Sequence, residues 1–174
     1  MEDNIVVVFV NECAPMNDQD DFYGKEDGEY ANSVKALFKG TSLEGKEMIQ
    51  LKELGFYFTN VCKKPKSETN ITKELLQRYA DQLEEELKQF PNVKVYMLMG
   101  DTAIQTYTYL NRKHKKKRVI PAGSTYKLRK DRYMDGEIRV FPSYIMTGKN
   151  LKIEKSKITM IREDIQRMLK YLNF

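Results

Sequence analysis

Residues 4–10 read NIVVVFV: after Asn4 comes an unbroken apolar run, mostly β-branched. A run this short and continuous predicts a strand buried on both faces, as in a parallel sheet. Further strand-like runs follow at 55–61 (GFYFTNV), 93–99 (VKVYMLM) and 137–141 (EIRVF). Helical signals lie between them, at about 29–39 and 44–54, with Gly40 and Gly55 as stops. Thr72 is placed to cap a helix whose apolar face is Leu75, Leu76, Tyr79, Leu83 and Leu87, ending near Phe90-Pro91. A helix over 102–111 and a last one over about 154–172 complete the alternation, the latter with Ile158, Ile161, Ile165, Met168, Leu169 and Leu172 on one face. Residues 113–136 show no strong period, and Asp135-Gly136 signals a turn.

Strands alternating with helices predict one α/β domain over 1–174, built on a mainly parallel four-stranded sheet. In that architecture a site lies at the carboxyl ends of the strands. Four polar segments fall there: 11–15 (NECAP), 59–60 (TN), 99–101 (MGD) and 142–144 (PSY).

Composition excludes several chemistries. The chain has 174 residues, 30 Lys and Arg against 25 Asp and Glu, one His, two Cys and no Trp. A single histidine cannot supply a His-rich zinc site or an H-E-x-x-H protease, and two cysteines cannot hold a four-thiolate zinc or iron–sulfur centre. Any step that needs imidazole must use His114. No apolar run approaches the roughly 18 residues of a membrane span, and the acidic start is unlike a signal peptide. The expectation is a cytoplasmic monomer with no structural disulfide between Cys13 and Cys62, no metal and no cofactor.

The net charge of +5 hides two opposed regions. Residues 1–30 hold nine acids and one base, so the rest of the chain carries +13. One segment, 111–118 (NRKHKKKR), supplies +6 of that through Arg112, Lys113, Lys115, Lys116, Lys117 and Arg118. Such a run is either a solvated loop or a phosphate-contacting one whose binding would fall steeply with salt.

The ordered set NECAP, FTNVCK, LMGDTA and FPSY…TG resembles the uracil-DNA glycosylase superfamily, nearest its small bacterial branches. The resemblance implies a three-layer α/β/α sandwich and a DNA-repair hydrolase that excises a deaminated base. The base is flipped into a pocket, read on its Watson–Crick edge and stacked on a ring. It further implies Glu12 as the carboxylate that orients water and steadies oxocarbenium character on the sugar. Backbone near Ala14 would face the base, Phe22 or Tyr23 would stack on it, and Asn60 would pair with O4 and N3–H. Gly100 fits close backbone approach before a helix N-terminus. Lys63, Lys64, Lys149 and the basic run would contact phosphates of DNA containing the damaged base.

Two departures stand out. The family's His-Pro histidine, which supports the departing base, is replaced by Ile145 in FPSYIMTG, so Ser143, Tyr144, Thr147 or Lys149 would have to donate instead. Loss of one such donor costs about 2.7–4 kcal/mol of barrier. The iron–sulfur branch's cysteines are missing, so no cluster is expected, and Cys62 reads as a small buried hydrophobe. Two other functions fit the sequence. One is a non-catalytic nucleic-acid-binding homologue. The other is an α/β enzyme acting on a nucleoside or other small molecule, which the acidic segment 18–29 favours.

Overall fold

A computed structural model describes residues 2–65 and 71–174. The first strand, β1, spans Val7–Cys13, three residues further along at either end than the stretch 4–10. The reason is the ladder. Its neighbour β2 (Phe56–Cys62) continues through Asn60 to Cys62, so polar Asn11 and Glu12 stay in register with it after the apolar pattern has ended. At the other end the Asn4 side chain donates to the Lys52 carbonyl, which ties the entry of the strand to the last turn of the helix that precedes β2.

After β1 a single 3-10 turn (Asp18–Asp20) leads to α1 (Glu29–Leu37) and α2 (Met48–Glu53). Helix α2 starts later than its pattern because Gln50 Oε1 accepts the Glu47 backbone N–H at 2.8 Å and fixes the first turn there. Helix α3 (Lys73–Leu87) begins at the expected cap, where Thr72 Oγ1 accepts from Leu75 N at 3.1 Å. Strand β3 (Val95–Met99) leads directly through Gly100 into α4 (Asp101–Lys113). The aperiodic stretch holds two short elements, α5 (Thr125–Leu128) and β4 (Tyr133–Asp135). Strand β5 (Ile138–Ser143), α6 (Lys149–Ile153) and α7 (Lys155–Tyr171) close the chain.

The fold is the expected α/β/α sandwich, with one correction. The sheet has five strands in the order β2-β1-β3-β5-β4, and β4 pairs antiparallel with β5. The turn of that hairpin is Gly136-Glu137, one residue past the start of the Asp135-Gly136 signal, with Gly136 at φ 60°, and a three-residue strand is too short to show a repeat. Alternate residues of β1 feed the two faces. Val7 and Phe9 pack with α1, α2 and α7, whereas Val8 and Val10 pack with α3 and α4. The chain runs from β1 outward to β2, then returns past β1 to β3, so strand order reverses between β1 and β3. A crevice opens outside the carboxyl ends of the strands at such a reversal. Among the described residues no helix is long and apolar enough to cross a membrane.

Candidate active site

The end of β1 delivers Asn11 and Glu12 to opposite faces of the sheet. Asn11 is fully buried on the α1 and α7 side. Its Nδ2 donates to Asn60 Oδ1 at 3.2 Å and to Thr147 Oγ1 at 2.8 Å, and its Oδ1 accepts from Met146 N at 3.3 Å. Asn60, at the register position beside Asn11, is 4% exposed. Its own Nδ2 donates to Asp21 Oδ1 at 2.9 Å. One carboxamide therefore spans the ends of β1 and β2 and the loop after β5. A second is gripped on both its edges.

Asn60 lines a cavity of about 320 Å³ together with Ala14, Asp21, Phe22, Tyr23 and Lys63. The two candidate rings differ in placement. Phe22 is 2% exposed and packs against Tyr30 and Phe58 as part of the core. Tyr23 is 42% exposed, lies parallel to Tyr57 at 5.6 Å, and its hydroxyl accepts the Phe58 N–H that edge strand β2 turns outward. Burial of the phenol, well ahead of the nearby carboxylates, holds the Tyr23 pKa far above its ordinary value. Lys63 folds back on its own strand: its Nζ donates to Thr59 Oγ1, the Asn60 carbonyl and Glu86 Oε1, all within 2.8 Å. Lys64 is exposed.

Glu12 faces a different cavity, of about 570 Å³, shared with Gly100, Arg118, Tyr126, Tyr144 and Lys157. Its Oε2 accepts the Thr102 N–H at 3.1 Å, in the first turn of α4, where a negative charge is favoured by the helix dipole. Gly100 makes this possible. Its φ is 112°, and a Cβ there would stand 2.9 Å from Glu12 Oε2. The glycine is thus required by conformation, and a Cβ there would also displace the Glu12 carboxylate.

The four predicted segments do converge on one edge of the sheet, yet they divide between two cavities. Asn60, Phe22, Tyr23, Ala14 and Lys63 line one. Glu12, Ser143, Tyr144, Ile145 and Arg118 line the other. Asn11 ties Asn60, on the first cavity, to Met146 and Thr147 of the loop that follows Ile145. Ser143 is fully buried, and its hydroxyl donates to Asp164, so that proton is directed into α7. Asp164 also meets Arg129 and Arg167, and Arg129 reaches Glu163 as well. Burial, only partly offset by Ser143 and the two guanidinium groups, keeps the Asp164 pKa above the usual carboxylate range. Tyr144 is half-buried with Lys157 Nζ 5.4 Å from its ring centre. Tyr30 anchors the rim through its hydroxyl, which donates to the Cys13 carbonyl at 2.7 Å. Burial pushes its pKa up to about 12.

The basic run is not grouped with these residues. Helix α4 starts at the carboxyl edge and runs back along the strands, so Lys113 lies about 18 Å from Asp101. There Lys113 pairs with Asp81 and Glu84, His114 Nε2 meets Glu84, and Lys116 pairs with Asp135 beside the start of β5. Arg112, Lys115 and Lys117 are exposed. Of the run, Arg118 alone reaches the Glu12 cavity. Lys149 is exposed at the start of α6. Among the described residues no group of three His, Cys, Asp or Glu side chains is arranged to hold a metal ion.

Sequence reasoning misses the parts played by Asn11 and Asp21. Asn11 carries a signal, a polar residue continuing a buried strand beside Asn60. Asp21 carries none, since it sits among five other acids between residues 18 and 29.

An open α/β/α sheet with polar residues gathered where its strand order reverses defines a domain of the doubly wound kind. The sequence narrows this class: the model of the uracil DNA glycosylase superfamily matches residues 19–166, and the chain belongs to that superfamily. Membership is consistent with a glycosylase-type hydrolase acting on DNA bases. The matched span includes Asn60, Tyr23 and Ser143 and begins after Glu12 and Ala14. No curated protein sequence matches the chain.

Proposed function

We propose that the protein hydrolyses the N-glycosidic bond of uracil, or a related deaminated base, in DNA. The observation that carries this is the state of Asn60. A carboxamide has two N–H donors and two acceptor lone pairs. Asn11 takes one lone pair and Asp21 one N–H. One donor and one acceptor remain side by side, complementary to the O4 and N3–H of uracil. The two grips also fix which atom is nitrogen, since Asn11 can only donate to Asn60 while Nδ2 of Asn11 faces it, and Asp21 can only accept.

In this reading Tyr23 stacks on the extruded base, and Phe22 supports it from the core. Ala14 contributes backbone at the cavity wall. Glu12, held by Thr102 N, orients water towards the anomeric carbon as the bond to the base lengthens. The base leaves with negative charge on its O2 side. Ile145 offers no proton there, and Ser143 spends its hydroxyl on Asp164. Thr147 is buried with its hydroxyl engaged by Asn11 and Tyr30, so Tyr144 and Lys149 remain as supports for that charge, and Lys157 adds positive potential in the Glu12 cavity. The rate is accordingly expected to be modest, since one missing donor is worth about 2.7–4 kcal/mol. Lys64, Arg118 and Lys149 are the phosphate contacts at this edge, with Lys63 held back by Glu86.

The spent Ser143 proton and Ile145 together favour a second reading, a homologue that binds nucleic acid without cleaving it. Single-turnover assays on uracil-containing single- and double-stranded oligonucleotides, with protein in excess, separate the two. Release of free base supports the glycosylase. Salt-dependent binding with no abasic product selects the second reading. Binding of a free base or nucleoside without DNA binding would instead select a small-molecule enzyme, for which Asp18 and Asp21 at the Asn60 cavity are the supporting feature.

A further inference from the structure

Cys13 and Cys62 are the chain's two cysteines, and they are register partners on adjacent parallel strands. Directly opposed residues of a parallel pair project to the same face. Both side chains belong to the apolar cluster beneath α3 and α4, and neither forms a disulfide. After burial itself, the two thiols are the main influences that raise the Tyr79 phenol pKa, which places both sulfurs near the same group. The strands stay joined just beyond them, where Ala14 N donates to the Cys62 carbonyl at 2.9 Å.

Neighbouring strands lie about 4.8 Å apart, inside the Cα separation of about 4.4–6.8 Å that a disulfide spans. The β-carbons of a disulfide are closer, at about 3.8 Å. Closing the bridge therefore requires the strand ends to approach by about 1 Å. Those ends carry Ala14 and Asn60, which both line the Asn60 cavity. Cys13 is 7% exposed and Cys62 2%, so Cys13 is the first to meet a small oxidant.

We propose that Cys13 and Cys62 form a reversible modification site, joined as a disulfide across the β1–β2 ladder by a peroxide-class oxidant. The thiolate of Cys13 attacks one peroxide oxygen, the O–O bond breaks, and water leaves, giving a sulfenic acid. The thiolate of Cys62 attacks that sulfur, the S–O bond breaks, and a second water leaves. The two thiols lose two electrons and two protons, and the peroxide takes up both. The disulfide draws the two strand ends together and shifts Asn60 relative to Asp21. The inference stands independently of the glycosylase reading, because its readouts need no substrate.

The test is hydrogen peroxide treatment of the reduced, folded full chain, followed by intact mass and peptide mapping without reductant. Diamide serves as a second oxidant. The expected result is a monomer lighter by two hydrogens, with the Cys13 and Cys62 peptides cross-linked, reversed by dithiothreitol. The side-chain amide signal of Asn60 in a nitrogen-correlated NMR spectrum should move on oxidation and return on reduction. In Cys62→Ser the Cys13 thiol should stop at a sulfenic acid trapped by dimedone. Two unmodified thiols after both oxidants would overturn the proposal, as would separate sulfinic acids or cross-links between molecules. A cross-link that leaves the Asn60 signal unmoved would overturn the coupling to the site.

Discussion

Asn60 is held by its neighbours before any base arrives. Asn11 and Asp21 fix the carboxamide, and on the proposed reading that fixing would let a single residue discriminate between a base that offers O4 and N3–H and one that offers the reverse. The prediction at this scale concerns Asn11. Its amide serves Asn60, Thr147 and the Met146 N–H from a fully buried position. Asn11→Ala leaves those groups unsatisfied and should cost about 1–3 kcal/mol of stability. Chemical denaturation measures it, with an unchanged midpoint as the contrary outcome. The sequence singles out Asn60 because it stands near the end of a strand and matches a position of the family it resembles. Asp21 is not, because a carboxylate in an acidic segment looks solvated until its partner is seen. The choice between Phe22 and Tyr23 is equally closed to sequence. Adjacent aromatic residues differ in burial only once the loop after β1 has closed over β2.

Element boundaries follow the same pattern. Apolar periodicity locates β1, β2, β3 and β5, since burial on both faces leaves a continuous signal. It loses the end of β1, where hydrogen bonding to β2 carries polar residues along the ladder. It loses β4 and α5 altogether, because three and four residues cover barely more than one period of a strand or a helix, too little to show a repeat. The junction of β3 with α4 reads as a tight turn, and the structure adds why it must be glycine. Gly100→Ala would have to keep φ at 112° and would drive a Cβ onto the Glu12 carboxylate. We expect a loss of about 1 kcal/mol or more. Part of that loss should be recovered in the Gly100→Ala, Glu12→Ala double variant, where the carboxylate no longer stands in the way. A double-mutant cycle with no coupling would show that conformation alone requires the glycine.

At the scale of the whole molecule the charges are arranged against a simple reading of net charge. The densest basic run sits at the far edge of the sheet, with Lys113, His114 and Lys116 paired to acids. Replacing Lys64 and Lys149 by Ala should therefore lower the slope of log affinity against log salt by about 1.8, at about 0.9 for each phosphate no longer neutralised. Replacing Lys113 and Lys116 should leave that slope unchanged. A titration of binding to a uracil-containing duplex reads both. Sequence alone reveals the run but not which edge it occupies, since that depends on the direction of α4.

Buried phenols set the alkaline limit of the fold. Burial holds Tyr30 and Tyr96 at about 12, against an ordinary value near 10. A raised native pKa means the unfolded chain gives up its proton first. Stability is then complete below about pH 10 and falls as the pH rises towards 12. Tyr30→Phe should make that fall shallower, as followed by thermal unfolding across this window. An unchanged slope would show that the Tyr30 hydroxyl is not buried as described.

The central claim is that Glu12 and Asn60 serve one excision reaction from two cavities at the carboxyl edge of the sheet. Release of uracil from a uracil-containing oligonucleotide under single-turnover conditions tests it, comparing the wild type with Glu12→Gln and Asn60→Ala. The account predicts measurable release by the wild type. Glu12→Gln should slow it by about 10²–10⁴-fold with DNA binding intact. Asn60→Ala should lose the preference for uracil over cytosine. Release that is unaffected by either substitution, or no release by the wild type at any protein excess, would contradict it.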